Sequence, residues 1–250
     1  SAASDVYKRQ ILNKTEELQR IIAGRDKLYS VIAHDLRSPM GSIKMVLNML
    51  MLNLPVEKIG GEMYELLTMA NRTTEDVFSL LDNLLKWTKS QIGNLNVVYQ
   101  DVDAVEVVDS VIDVFNMVAG LKKITIREEK PEKLPVCTDI DMLKTIIRNL
   151  LSNAIKFSNE NSEVLVKMEE QGDTVVVSVK DSGCGIDEEG QQKLLHTDTH
   201  FSTFGTNNEE GSGLGLLLCQ DFAVKSGGKL WFTSKKGEGS TFYFSIPLKK

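Results

Sequence analysis

The sequence predicts a helical hairpin followed by an α/β sandwich, and three observations carry that reading. Apolar residues recur at three, four and seven through Ile11, Leu18, Ile21, Leu28 and Ile32, then through Leu36, Met40, Ile43, Leu47, Leu50 and Leu54; this is the stripe of one long amphipathic helix. A second helical stripe runs through Met63, Leu66, Ala70, Val77, Leu80, Leu84 and Trp87. Beyond Gln91-Ile92-Gly93-Asn94 the period changes, and short alternating runs are mixed with helical ones.

The first helix covers about residues 5–54, and the turn falls around Asn53-Leu54-Pro55 and Gly60-Gly61. Two long helices joined by a short connection form an antiparallel hairpin. A single hairpin leaves apolar stripe uncovered, so a homodimer closing a four-helix bundle is expected. Lys14 and Arg25 interrupt the upstream seam, which makes the first turns a weaker coiled coil. The expected divisions are a coiled-coil lead-in over 1–25, a helical domain over 26–90, a linker over 91–96 and the α/β domain over 97–250.

His34-Asp35-Leu36-Arg37-Ser38-Pro39 lies inside the first helix. His34 is two residues from both Ile32 and Leu36, about 200° around a helix, which turns its imidazole away from the apolar seam. Ser38, four residues on, shares its face. Pro39 lacks an N–H and crowds the carbonyl of Asp35, so a bend or loosening is expected there. An exposed imidazole is mostly neutral near pH 7 and nucleophilic through one nitrogen. The segment fits a phosphoryl acceptor; taken alone, it also fits a solvated helix histidine.

In the second domain Val97-Val98-Tyr99 reads as an edge strand. Asp103 caps a helix, with Glu106 in capping-box position, before Val107, Val111, Val114 and Val118, and Gly120 ends it. Lys123–Arg127 and Pro135–Thr138 are short strands. Asp139 caps a helix with core positions Leu143, Ile147, Leu150, Leu151 and Ala154. Strands follow at Val164–Met168, Thr174–Lys180, Leu230–Thr233 and Thr241–Ile246, with a helix from near Gly213 to Gly227-Gly228 between the two pairs. One sheet backed by helices accommodates this order.

Composition excludes several classes. Net charge is -6 with no basic block, which argues against nucleic acid as a partner. Three scattered cysteines, Cys137, Cys184 and Cys219, fit a reducing compartment better than a disulfide framework. No apolar run approaches the ~20 residues of a membrane span, and no signal peptide opens the chain. A cytoplasmic fragment without membrane contact is expected, and its parent could be anchored upstream.

Four motifs in the second domain carry chemistry. Asn149, Asn153 and Lys156 share one helix face, opposite Ile147 and Leu151. Amide oxygens suit a hard cation such as Mg²⁺ and the lysine suits phosphate, although the asparagines alone also fit a plain polar face. Asp181-Ser182-Gly183-Cys184-Gly185-Ile186 ends a strand with two glycines that permit close backbone approach, and its carboxylate could accept from an exocyclic amine such as that of adenine. An ordinary strand-to-helix turn is the competing reading. Gly211-Ser212-Gly213-Leu214-Gly215-Leu216 opens a helix with free amides suited to phosphate. No Gly-Lys-Ser/Thr follows, so it is not a P-loop, and its glycine spacing is wrong for a dinucleotide fold. Gly237-Glu238-Gly239-Ser240-Thr241 adds a turn whose Thr241 hydroxyl could reach a phosphate. Between the second and third motifs the polar stretch 196–210 reads as a functional loop, in which His196, Asp198 and His200 form a weak metal candidate.

Taken together these motifs resemble the core of a sensor histidine kinase of the two-component type, over nearly the whole chain from Asp26. Residues 34–39 are similar to its H-box, Asn149–Phe157 to its N-box, Asp181–Gly185 and Gly211–Leu216 to its glycine boxes, and Phe201 and Phe204 to its phenylalanine pair. The resemblance implies a Bergerat-type ATP fold, with ATP and Mg²⁺ as cofactors and a response-regulator receiver domain as partner. It makes His34 the phosphoacceptor, Asp35 the base, and Asn153 with Asn149 the metal ligands. Lys156 and Phe157 would line the nucleotide site, with Asp181, Gly183, Gly185 and Ile186 at the base and Gly211, Gly213, Leu214, Gly215 and Leu216 at the phosphates. Ser38 stands where many members carry threonine or asparagine for dephosphorylating the regulator, so any phosphatase activity is expected to be weak. Gly205-Thr206 stand where the family often supplies a cation for the γ-phosphate. The alternative is an ATP-binding dimeric signalling module without phosphotransfer.

Overall fold

The computed structural model describes residues 14–15, 21, 24, 31–32, 35–54, 59–91, 97–194, 205–206 and 213–248. His34, Phe201, Phe204, His196, His200, Gly211, most of the 1–25 lead-in and residues 92–96 lie outside them. The chain divides into two compact units, Ser1–Asn96 and Val97–Lys250.

In the first unit, helix α1 occupies 35–53 and passes through Pro39 without interruption, where a loosening was expected. Helix α2 spans Gly61–Gln91. Arg37 pairs with Asp82, which also holds Lys86 at 2.9 Å, and Lys44 reaches Glu75 at 3.3 Å. These cross-links match Arg37 and Lys44 on α1 to positions running backward along α2, the signature of an antiparallel pair. Leu81 and Leu85 are the buried pair, with Met40 and Leu84 against them, whereas Met63, Leu66, Val77 and Leu80 are exposed. Helix α2 is apolar on two sides, so spacing alone does not say which side meets α1.

The second unit begins with β1 (Gln100–Asp103), paired antiparallel with β3 (Pro135–Thr138); the strand starts one residue beyond the expected 97–99. Asp103 caps α3 (Ala104–Leu121), its Oδ1 accepting from the amides of Val105 at 3.0 Å and Leu134 at 2.9 Å. Helix α3 runs past Gly120, and Lys123 adopts the left-handed turn (φ 56°) instead. Of the expected positions Val107 and Val111 are buried, together with Ala104, Val105, Val108, Ile112 and Ala119, while Val114 and Val118 are exposed. Valines on nearly every side of this helix leave its orientation undetermined by spacing. Strand β2 is Thr125–Glu129.

Asp139 caps α4 (Ile140–Phe157), accepting from the Asp141 and Met142 amides, and its other oxygen takes the Val98 amide at 2.9 Å. The five expected core positions of α4 are all buried. Strands β4 (Glu163–Gln171) and β5 (Thr174–Lys180) follow. The short helix α5 (Glu188–Lys193) is capped by Asp187. Helix α6 (Leu214–Lys225) starts at Gly213 (φ 67°), and β6 (Leu230–Lys235) and β7 (Gly239–Pro247) close the unit. The main sheet has the order β2-β4-β5-β7-β6, parallel at β2–β4 and antiparallel elsewhere. Helix α4 packs between α3 and α6, and Val175, Val177, Val179, Phe242, Phe244 and Ile246 form the buried side of the central strands. Among the described residues no helix is long and apolar enough to cross a membrane.

Candidate functional site

The site is built around the C-terminal end of α4. Asn149, Asn153 and Lys156 lie on one half-buried strip of that helix. Asn149 Nδ2 donates to Thr145 O at 3.0 Å, and its oxygen faces Gly215 of α6 so closely that a Cβ there would lie 2.7 Å from it. Asn149 also touches the Cys219 thiol, whose pKa burial pushes up while that hydrogen bond works against the shift. Asn149 is therefore engaged in joining α4 to α6. One turn on, the Asn153 side chain has no hydrogen-bond partner among the described residues. Its amide oxygen fits a hard cation such as Mg²⁺. Lys156 places its ammonium 4.9 Å from the centre of the Phe157 ring, a cation–π contact.

The turn after β5 docks onto that helix end. Cys184 N donates to Phe157 O at 3.3 Å, and a Cβ on Gly183 would lie 2.0 Å from the same oxygen. On its other side, Gly185 (φ 62°) sits against Lys235 O, where a Cβ would again be at 2.0 Å. Only glycine fits either position. Ile186 N donates to Ser234 Oγ at 2.9 Å, and Ile186 O accepts from Gln191 at 2.7 Å.

Asp181 begins this turn with its carboxyl group buried. Its Oδ1 accepts from the amides of Gly183 at 2.9 Å and Ser240 at 3.2 Å; its Oδ2 has no partner among the described residues. Burial raises its pKa above the ordinary carboxylate value, while the Gly183 and Ser240 amides pull the other way. One oxygen thus anchors the turn and the other remains for a ligand donor.

Thr241 does not join this group. It pairs with Lys180 and Thr233, and β7 alternation puts it on the face carrying Tyr243, opposite Phe242 and Phe244. Ser240 stands on Asp181's face instead, buried, its hydroxyl 2.9 Å from Ser234 Oγ. The inward parity of Phe242, Phe244 and Ile246 is the signal that could have selected Ser240. Gly213, Leu214, Gly215 and Leu216 open α6 as expected. Between α5 and α6 the described residues are Leu194, Gly205, Thr206 and Gly213; Thr206 N donates to Lys156 O at 3.1 Å.

In the first unit Asp35 and Ser38 are exposed on α1. The carbonyl of Ser38 accepts from Ser42 Oγ at 3.2 Å.

Residues 138–250 match the family of histidine kinase-, DNA gyrase B- and HSP90-like ATPases. The chain is 29% identical over 238 residues to the adaptive-response sensory kinase SasA of Crocosphaera subtropica, covering 93% of this chain and 62% of that protein. It is 30% identical to the solved catalytic domain of the histidine kinase ThkA, with a TM-score of 0.53, covering 60% of this chain and 96% of that domain. The chain belongs to the sensor histidine kinases. The second unit of this chain is accordingly its ATP-binding domain. The fold of the full-length kinase ShkA, solved in complex with AMPPNP, matches 90% of this chain at a TM-score of 0.68 and 21% identity, over 46% of ShkA. The chain spans about six-tenths of the length of its SasA relative.

Proposed function

We propose that this chain transfers the γ-phosphoryl group of ATP to His34 and passes it to an aspartate of a response-regulator receiver domain. The observation that supports this most is the arrangement at Asp181. A buried carboxylate keeps one oxygen uncommitted, as needed to accept from the exocyclic amine of adenine. In the same domain lie an asparagine–lysine strip and a glycine-started helix suited to phosphates.

In the transfer, a nitrogen of His34 attacks the γ-phosphorus. The N–P bond forms as the bond to the β–γ bridging oxygen breaks, and ADP leaves. The ring proton passes to the Asp35 carboxylate. Asn153 would hold Mg²⁺, joined by Asn149 if that side chain releases its contact with Gly215; the bound ion would neutralise phosphate charge. Lys156 adds a positive charge on the same strip. The receiver aspartate then attacks the phosphohistidine, and the N–P bond is exchanged for an acyl phosphate. Pairing of two copies through the exposed apolar side of the hairpin accompanies this activity, and Ser38 supports only weak dephosphorylation of the regulator.

Incubation with γ-labelled ATP and Mg²⁺ tests the proposal. The expected label is acid-labile and alkali-stable, and it disappears in His34→Gln while nucleotide binding persists. Acid-stable label, or label that survives in the variant, overturns the kinase reading. Nucleotide binding with no label at all favours the ATP-binding signalling module.

A further inference from the structure

We propose that Lys122 is a positioning residue for the nucleotide site, clasping three separate segments at the end of the helix that carries Asn153 and Lys156; this rests on the ATP-binding reading above. Lys122 closes α3 as its C-cap and is itself buried. Its ammonium donates to Ile155 O at 3.0 Å, Lys156 O at 2.9 Å and Thr206 Oγ1 at 2.6 Å. An ammonium has three donors, and all three are used.

The acceptors explain why a lysine stands there. A helix leaves its last four carbonyls without intrahelical partners and carries partial negative charge at that end. In α4 these are the carbonyls of Ala154, Ile155, Lys156 and Phe157. Ala154 O takes the Ser158 amide at 3.1 Å, and Phe157 O takes the Cys184 amide at 3.3 Å. Ile155 O and Lys156 O, between them, are the two that Lys122 reaches. The cation comes from another helix, about thirty residues earlier in the chain, so the cap also locks α3 to α4.

Thr206 completes the clasp. Its amide donates to Lys156 O, and its hydroxyl donates to Ser158 O at 2.7 Å while accepting from Lys122. Thr206 is thereby fixed to the end of α4. The same helix end seats Gly183 and Cys184 through Phe157 O, and that turn sets Asp181. Removing the ammonium releases two helix carbonyls and one contact to Thr206, loosening the seat of Lys156, Phe157 and the Asp181 turn together. The loss falls on nucleotide affinity, although Lys122 itself touches no ligand.

The test measures ATP affinity by fluorescence of a labelled nucleotide, on the whole chain, for wild type, Lys122→Met, Thr206→Val and the double variant. Methionine keeps the length of the side chain and removes its donors; valine keeps the shape of threonine and removes its hydroxyl. Each single variant is expected to weaken ATP binding roughly tenfold, the size of one lost charge-assisted hydrogen bond. The double variant should be no weaker than Lys122→Met, because both act on one clasp. Thr206→Val leaves α3 and α4 intact, so it keeps the test decisive should Lys122→Met fail to fold. Wild-type affinity in Thr206→Val, or losses that multiply in the double variant, overturns the clasp while leaving ATP binding standing. A wild-type chain with no ATP affinity overturns both.

Discussion

Gly215 lies so close to Asn149 that a Cβ at position 215 would come within 2.7 Å of the asparagine Oδ1. This contact sets the spacing between α4 and α6, the helix that Gly213 starts. Gly215→Ala should displace the asparagine from Thr145 O and cost about 1–3 kcal/mol, the range for overpacking a fitted interface. Because the obstruction is a side chain, Asn149→Ala should relieve part of that cost. Urea unfolding of both single variants and the double variant checks this; strictly additive costs would show that the contact is not the source.

Asp181→Asn should trade function for stability. The folded chain holds the Asp181 carboxyl above its ordinary 3.8, with burial the largest cause. The stability tied to that raised value is fully present below the unfolded pKa and is lost as pH rises through the folded one. Asparagine keeps an acceptor for the Gly183 and Ser240 amides and removes the buried charge. Melting temperature should therefore exceed wild type at about pH 7, with the difference shrinking toward pH 4. ATP affinity should fall, since an amide NH₂ would oppose the amine of adenine. A variant less stable than wild type at neutral pH contradicts the burial argument.

Leu66→Glu should dissociate the proposed pair of hairpins. Leu66 and Val77 are exposed on α2 and line an open apolar groove of about 450 Å³ with Met40, Met69 and Ala70. A charge there faces apolar surface in the paired state and water in the separated one. Sedimentation should give a dimer for wild type and a monomer for the variant, while residues 94–250 alone run as a monomer that binds ATP. An unchanged dimer in Leu66→Glu places the interface elsewhere.

Ser38 tests the reverse reaction. A serine is freer at χ1 than threonine and orients a water less well. Ser38→Thr should raise dephosphorylation of the phosphorylated regulator, and Ser38→Ala should lower it. Equal rates for serine and alanine mean that this hydroxyl positions no water.

Helix starts are the most legible part of the sequence. Asp103 and Asp139 cap α3 and α4 as expected, because an acidic residue ahead of an apolar period has few other uses. Asp187 caps α5 in the same way, but the polar run behind it gives no period to mark a helix. Strand β5 has the expected bounds, while β1 and β2 begin later than expected. Faces are harder than elements. The apolar spread of α2 and α3 permits several orientations, and tertiary neighbours choose one. At the site, chain order brings Asp181, its glycines and the asparagine strip into view. The exchange of Thr241 for Ser240 depends on strand parity, which a motif read as a turn does not reveal. Lys122 has no local signal, since the carbonyls it serves lie about thirty residues away along the chain.

The division of labour on α2 bears on how such a protein can diverge. Leu81 and Leu85 face Met40 within one hairpin, while Leu66, Val77 and Leu80 stay on the surface. With two copies pairing through the surface set as proposed, mutation of that set after gene duplication stops sister chains from recognising each other. The inner set need not change, so each hairpin keeps folding while its choice of companion drifts.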